Sequence, residues 1–326
     1  MTRETVLVTG ATGFIGSHVV NHLVSIGSYQ VVAIVRRDKD YKNVNQLKEK
    51  GVTLVQGAFY DTNVIREVFG NFAIRNVVHM AALRGSGVGN MYHQVNVLGT
   101  KALVEASGER GVRKFVFMSS VGVFGTTPAD LPANLRTRFC GDNEYHRSKI
   151  LAETLVNGLS QKKDIDVCTL RPTITYGEGA TGFPKILVDY VRRKLLLLPQ
   201  KDILIHLLDV RALAQLVSEV LGSEKTQEKA FIVADDSPVS LNELVNLIHT
   251  HYFGQPYPGF LRIPVYLLKA FRICFAIFGN DRWKTRMKLL SGSWYYDIQD
   301  TIRTFGFHPA GTKDSFIRSM CECHAE

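Results

Sequence analysis

The segment Thr9-Gly10-Ala11-Thr12-Gly13-Phe14-Ile15-Gly16 constrains this chain more than any other. It joins a short β-branched run, Thr5–Thr9, to a stretch in which Ile15, Val19 and Leu23 repeat at i, i+4 and i+8, with Gly27 as the stop. Glycines at a strand-to-helix junction allow a tight turn, close approach of backbone to a pyrophosphate, and close packing of helix on strand. The helix start then offers free N–H groups and a positive dipole end to an anion. The spacing is Gly-x-x-Gly-x-x-Gly, one residue longer in its first gap than the usual fingerprint. At the first junction of a βαβ unit it predicts a dinucleotide cradle formed by Gly10, Thr12, Gly13, Phe14, Ile15 and Gly16.

The pattern repeats downstream. Further Val-rich runs, nearly continuously apolar, lie at Gln30–Val35, Val52–Gln56, Asn76–Met80 and Lys114–Ser119. Such runs suit parallel strands buried on both faces. Helical stretches fall between them at Ile15–Ser25, Val64–Phe69 and Tyr92–Glu109. A helix at Tyr145–Leu159, strands at Ile165–Leu170 and Ile203–Leu208, a helix at Val210–Leu221 and a returning strand at Phe231–Ala234 follow. The fold class is α/β: a doubly wound parallel sheet of Rossmann type, with a smaller, mostly helical C-terminal substrate lobe. The expected division is 1–172 for the nucleotide-binding domain, with 203–234 returning to it, and 173–202 plus 235–326 for the lobe.

The end of the second strand discriminates between dinucleotides. An acid there suits the ribose 2′-hydroxyl of NAD; an arginine suits the 2′-phosphate of NADP. Val31–Val35 ends in Arg36-Arg37, and Arg36 lies twenty residues after Gly16. A guanidinium binds phosphate bidentately. The expected cofactor is therefore NADP held by Arg36 and Arg37, with NAD as the alternative.

A formal charge of +9 over 326 residues also favours anionic ligands. No aromatic-rich RNA-binding motif occurs, so a nucleic-acid partner is not expected. Five scattered cysteines, with no Cys-x-x-Cys, point to a reducing compartment, read as cytoplasmic. No metal site is expected: the tail Cys321-Glu322-Cys323-His324 lacks a second ligand pair, and His18 with His22 lacks a third ligand. No apolar stretch precedes Thr5, so no signal peptide is expected. Phe260–Phe278 is the most apolar stretch, yet it holds Arg262, Lys269 and Arg272, which makes it a poor membrane span. It reads as a lobe helix capping a pocket. A peripheral membrane contact through 260–288 is the competing reading, because Arg262 to Lys288 carries seven Lys/Arg against one acid.

Tyr145 and Lys149, four apart, share one helix face. A neighbouring ammonium lowers the pKa of a phenol, so the pair suits a proton shuttle in alcohol–ketone interconversion. Ser119-Ser120 ends the fifth strand, where ligands bind in such sheets.

Together with Val77–Ala82, Asn96–Thr100, Phe124-Gly125, Arg171–Gly177, Leu208–Val210 and Trp294–Pro309, these motifs resemble the extended short-chain dehydrogenase/reductase family. That family includes sugar-nucleotide epimerases and dehydratases, 3β-hydroxysteroid dehydrogenases and dihydroflavonol reductases. The resemblance implies Ser120, Tyr145 and Lys149 as the catalytic triad, with Tyr145 as acid/base. It implies Lys149 on the nicotinamide ribose, Ala81 and Ala82 lining the cofactor, Arg171-Pro172 leading to its nicotinamide side, and a homodimer. Two positions depart from the family pattern. Gly57 is followed by Ala58 where an adenine-binding Asp is frequent, and Phe124 replaces the frequent Tyr.

Sugar-nucleotide members usually have Asn after the Arg-Pro strand and a Gly-rich, Arg-containing segment further on. Here stand Thr173 and Leu195-Leu196-Leu197-Leu198-Pro199. The sequence therefore points to an apolar small-molecule substrate, a steroid-like, acyl or polyketide-like alcohol or ketone, of an NADP-dependent oxidoreductase. The alternatives are an NAD-dependent sugar-nucleotide epimerase/dehydratase, for which Arg192, Arg193 and Lys194 remain available, and a non-catalytic NADP-binding regulatory protein.

Overall fold

The computed structural model describes residues 3–36, 41–85, 90–163, 165–224, 226, 229–264 and 281–322. Seven strands form the central sheet: β1 (Glu4–Thr9), β2 (Tyr29–Val35), β3 (Thr53–Gln56), β4 (Asn76–His79), β5 (Lys114–Met118), β6 (Asp166–Pro172) and β11 (Lys229–Val233). Their spatial order is β11-β6-β5-β4-β1-β2-β3, and every neighbouring pair is parallel. The chain winds outward from β1 to β3, then returns to β4 and winds the other way. The gap between β1 and β4 is thus the switch point where crossovers diverge, and ligands in such sheets bind there at the carboxyl ends.

The strands read as continuous apolar runs because both faces are covered. Val6 and Val8 of β1 pack on one side, with α1 (Phe14–Ser25) and α7 (Val210–Gly222). Leu7 packs on the other, with α3 (Thr62–Asn71), α4 (Gly99–Glu109) and α5 (Glu144–Lys163). Successive residues point to opposite faces, so no polar face survives to interrupt the pattern.

A third apolar cluster builds the lobe. It gathers α6 (Phe183–Arg192), α8 (Leu241–Phe253), Trp294 and Phe316. Short strand pairs tie it together: β7 (Ile174–Tyr176) with β10 (Leu207–Asp209), β9 (Leu204–Ile205) with β12 (Val239–Ser240), and β8 (Leu198–Pro199) with β13 (Arg262–Ile263). The expected single strand Ile203–Leu208 is therefore two pieces. His206 separates them, its backbone N–H donating to Trp294 O and its ring meeting Asp235 O.

The leucine run also divides. Leu196 and Leu198 are core, whereas Leu195 and Leu197 face out. Within the expected helix Phe260–Phe278, residues Gly259–Leu261 form a 3₁₀ turn that leads into β13. Residues 265–280 lie outside the described residues, and a helix spans Asp281–Ser291. Among the described residues no helix is long and apolar enough to cross a membrane.

Candidate active site

The glycine loop leaves β1 at the switch point, and its glycines are required by contact. Gly10 has φ +79°, and a Cβ there would lie 2.8 Å from Ala81 N. A Cβ on Gly16 would lie 2.0 Å from Gly10 O, so any side chain would push α1 off the strand. Gly13 caps α1 with no side-chain hydrogen bond, leaving the first-turn N–H groups to an anion. These residues fit a dinucleotide pyrophosphate.

The rest of the sequence-derived cradle sits around this loop. Asn43 Nδ2 donates to Thr12 O at 3.1 Å. Ile15 packs against the core beneath α1. The Phe14 ring lies against Gly177 and Gly179. Ala81 N donates to Thr9 Oγ1 at 3.2 Å, and half-buried Ala82 follows it. Arg36 directly follows β2 and is exposed, and Ile34 is in register with Thr9 beside the loop. Arg37 lies outside the described residues. Gly57 has a packing reason: a Cβ there would lie 2.4 Å from Val64 Cγ2 of α3.

Tyr145 and Lys149 stand one turn apart on α5. Lys149 is buried, and its Nζ donates to Met118 O at 2.8 Å, pinning α5 to the end of β5. Its ammonium also lies 4.9 Å from the Phe117 ring centroid. Arg84 places a cation beside Tyr145, its guanidinium carbon 5.7 Å from the phenol centroid. Burial pushes the Tyr145 hydroxyl above its ordinary range, and Arg84 opposes that push. The sequence reading named Lys149 for this electrostatic role and did not name Arg84. Arg84 was missed because nothing in its spacing from Tyr145 suggests contact.

The two serines have different environments. Ser119 Oγ donates to Glu153 Oε2 at 2.7 Å, and Glu153 is ion-paired with Arg171, both buried. Ser120 Oγ accepts the Gly122 N–H at 3.0 Å. Its own hydrogen has no acceptor among the described residues. Ser120 is therefore the hydroxyl available to a ligand. Opposite it, a Cβ on Gly122 would lie 2.6 Å from His146 Nε2 and 3.2 Å from Ser120 Oγ. This contact brings the β5 end and the start of α5 together. His146 Nδ1 is held by Asp142 Oδ1 at 2.6 Å, and Lys288 Nζ donates to Asp142 Oδ2 at 2.8 Å. Despite burial, His146 and Lys288 keep the Asp142 carboxyl below its ordinary range.

A buried hydrogen-bond chain joins the cradle to the catalytic helix. Thr9 Oγ1 meets His79 Nδ1 at 2.6 Å, and His79 Nε2 meets Thr100 Oγ1 at 2.9 Å. Thr100 Oγ1 donates to Asn96 O, Asn96 Nδ2 donates to Ser148 Oγ, and Ser148 Oγ donates to Tyr145 O. Asn96 also bonds both the N–H and the carbonyl of Leu83. It sits in a π-helical turn, His93–Leu98, a local widening frequent at functional sites. Burial, with Lys149 nearby, pulls the His79 imidazole down to about 3. It stays neutral, and both ring nitrogens keep their partners.

The histidine pair on α1 is occupied otherwise. His18 Nε2 meets Glu178 O, and His22 Nε2 meets Ser218 Oγ. No group of three His, Cys, Asp or Glu that could hold a metal occurs among the described residues. Cys323 and His324 lie outside them.

Residues 6–232 match the NAD dependent epimerase/dehydratase family. The chain belongs to that family. It is 27% identical over 319 residues to UDP-glucose 4-epimerase of Vibrio cholerae, covering 95% of this chain and 92% of that enzyme. It is 30% identical over 203 residues to UDP-glucose 4-epimerase of Erwinia amylovora, which spans 57% of this chain and 60% of that enzyme. Among solved structures it resembles Bordetella bronchiseptica WbmH in complex with NAD+, with TM-score 0.74, 20% identity and 99% of each chain covered. It also resembles UDP-glucuronic acid 4-epimerase from Bacillus cereus in complex with NAD, with TM-score 0.76, 16% identity and 97% of each chain covered.

Lys149 gives this family member a measurable pH signature. Burial, reinforced by Arg84 and opposed by Glu153, pulls its ammonium from 10.5 down to about 7. Between about pH 7 and pH 9 the unfolded chain holds a proton that the folded chain lacks, so stability rises with pH. Asp235, raised to about 7 by burial, acts with opposite sign below this window. Cys168, whose thiol burial pushes up from 9.0, does so above it. The urea midpoint of the protein should climb from pH 7 to pH 9, and that of Lys149→Met should stay nearly flat. Equal slopes would refute the assignment.

Proposed function

We propose that this chain is an NAD-dependent epimerase that inverts a carbinol centre of a nucleotide-activated hexose. The observation that carries the reading is the convergence at the β5 end. Lys149 is pinned to Met118 O, Tyr145 stands a turn away, and the Ser120 hydroxyl hydrogen has no acceptor among the described residues, all beside a glycine cradle whose atoms leave no room for side chains at Gly10 and Gly16. Relatives with the same family pattern are UDP-glucose 4-epimerases.

NAD, when bound, would supply a reversible hydride acceptor for the sugar carbon. The protein's own residues do the rest. Gly10–Gly16 and the open start of α1 would hold the pyrophosphate, and Lys149 would meet the nicotinamide ribose. The Ser120 hydroxyl donates to the sugar oxygen. Tyr145 takes the hydroxyl proton as the carbonyl forms and returns it when the alcohol is regenerated. Tyr145 enters this step as the phenolate, and Arg84 favours that form against the opposing effect of burial.

A second reading, net reduction by NADPH, is favoured by one observation: Arg36, rather than an acid, directly follows β2. Incubating the purified protein with UDP-glucose and with its C4 epimer separates them. Proton NMR should show interconversion without added nucleotide and without net change in absorbance near 340 nm. Consumption of NADPH by a carbonyl substrate, with no interconversion, would replace the first reading by the second.

A further inference from the structure

The C-terminal end of α6 carries a patch to which the proposed mechanism assigns no role. We infer that it docks the protein onto an anionic lipid bilayer. The patch begins at the C-terminal end of α6, where Arg192, Arg193 and Lys194 follow one another, all exposed. The Arg192 guanidinium lies 4.7 Å from the Tyr252 ring centroid, and Lys194 Nζ lies 5.2 Å from that of Phe253. The ends of α6 and α8 are thereby joined around a hollow of about 410 Å³ lined by Asp189, Arg192, Arg193, Tyr252 and Phe253.

The chain then extends the patch. Leu196 exchanges both backbone hydrogen bonds with the Tyr257 hydroxyl, at 3.0 Å each. Arg262 and Ile263 pair with Leu198 and Pro199. This pairing puts Phe260 level with the leucine run. Because that run alternates, Leu195 stays 60% and Leu197 44% exposed, beside Phe253 at 44% and Phe260 at 84%. Exposed Arg262 and Lys201 flank them.

Large apolar side chains left in water among cations are the composition of an interfacial surface. The leucine and phenylalanine rings enter the headgroup–acyl boundary, and the guanidinium and ammonium groups meet lipid phosphates. Asp189, which lines the hollow, and Asp202 each have partners other than these three cations. Asp189 pairs with Lys185 at 3.5 Å, and Asp202 bonds Ser240 and the Ile203 N–H. Arg192, Arg193 and Lys194 have no carboxylate partner among the described residues. A second copy of the chain is the poorer occupant, since a two-fold contact would set like cations against each other. A nucleic acid would use the cations and leave the leucines wet.

Flotation of the full chain with vesicles tests this without reference to catalysis. Equimolar phosphatidylglycerol/phosphatidylcholine vesicles should carry the protein at about 0.05 M salt and release most of it at about 0.5 M. Pure phosphatidylcholine vesicles should not carry it. Arg192→Gln with Arg193→Gln should lower partitioning roughly 25-fold, at roughly fivefold per cation. Leu195→Ser, Leu197→Ser and Phe260→Ser together should lower it further while leaving circular dichroism unchanged. Overturning results are no binding to the anionic vesicles at low salt, equal binding to both vesicle types, or variants that float like the wild type. A dimer in solution that the same serines abolish, with no vesicle binding, would assign the patch to a second copy.

Discussion

Tyr145→Phe should fold, bind the dinucleotide as the wild type does, and turn over substrate about 10²–10⁴-fold more slowly. The substitution keeps the half-buried ring and its contact with the Arg84 guanidinium. It leaves the Ser148–Tyr145 backbone bond and the Lys149–Met118 bond intact. It removes only the hydroxyl that carries the proton. Loss should therefore fall on kcat, with nucleotide affinity by calorimetry unchanged. A Tyr145→Phe enzyme with wild-type kcat would remove Tyr145 from the proton path. The group to examine next would be His146, whose Nε2 shares the space above Gly122 with Ser120.

Glu153→Ala should destabilise the fold by about 3–5 kcal/mol, the usual cost of leaving one partner of a buried ion pair uncompensated. Glu153 is 1% exposed and takes two donors of Arg171, at 3.0 Å from Nε and closer still from Nη2, besides the Ser119 hydroxyl. Without it the Arg171 guanidinium would remain buried against the Phe124 and Phe139 rings, its carbon 5.2 and 5.0 Å from their centroids. Ser119 would lose its acceptor next to Ser120, so activity should fall with stability. Urea denaturation measures the loss. Replacing Glu153 and Arg171 together by Met should recover much of it, because two apolar groups leave no orphaned charge. A Glu153→Ala protein as stable as the wild type would show that the pair contributes nothing.

The sheet was legible because its strands are buried on both faces, and such strands announce themselves as runs of Val and Ile. The cradle was legible for a related reason: Gly10 and Gly16 meet backbone atoms that no side chain could approach. Tyr145 and Lys149 were legible because one helical turn fixes their spacing. What sequence hid was contact between distant segments. Arg84 meets the Tyr145 ring, and Asn96 reaches Ser148 from a π-turn, through contacts that no periodicity encodes. The leucine run hid its division for a different reason. Four consecutive leucines give no sign of alternation, yet the backbone leading into β8 sends Leu196 and Leu198 to the core and Leu195 and Leu197 to the surface. His206 broke an apparent single strand in two because its ring is needed by Asp235 O and its N–H by Trp294 O.

The most direct measurement is a crystal structure of the protein with NAD and a UDP-hexose. The pyrophosphate should lie on Gly10–Gly16 at the start of α1, the adenosine ribose beside Arg36, and the nicotinamide ribose within hydrogen-bond reach of Lys149 Nζ. The reacting sugar hydroxyl should sit between Ser120 Oγ and the Tyr145 hydroxyl. A dinucleotide bound with its nicotinamide away from Lys149, or a sugar whose reacting carbon lies beyond reach of Tyr145, would contradict the account.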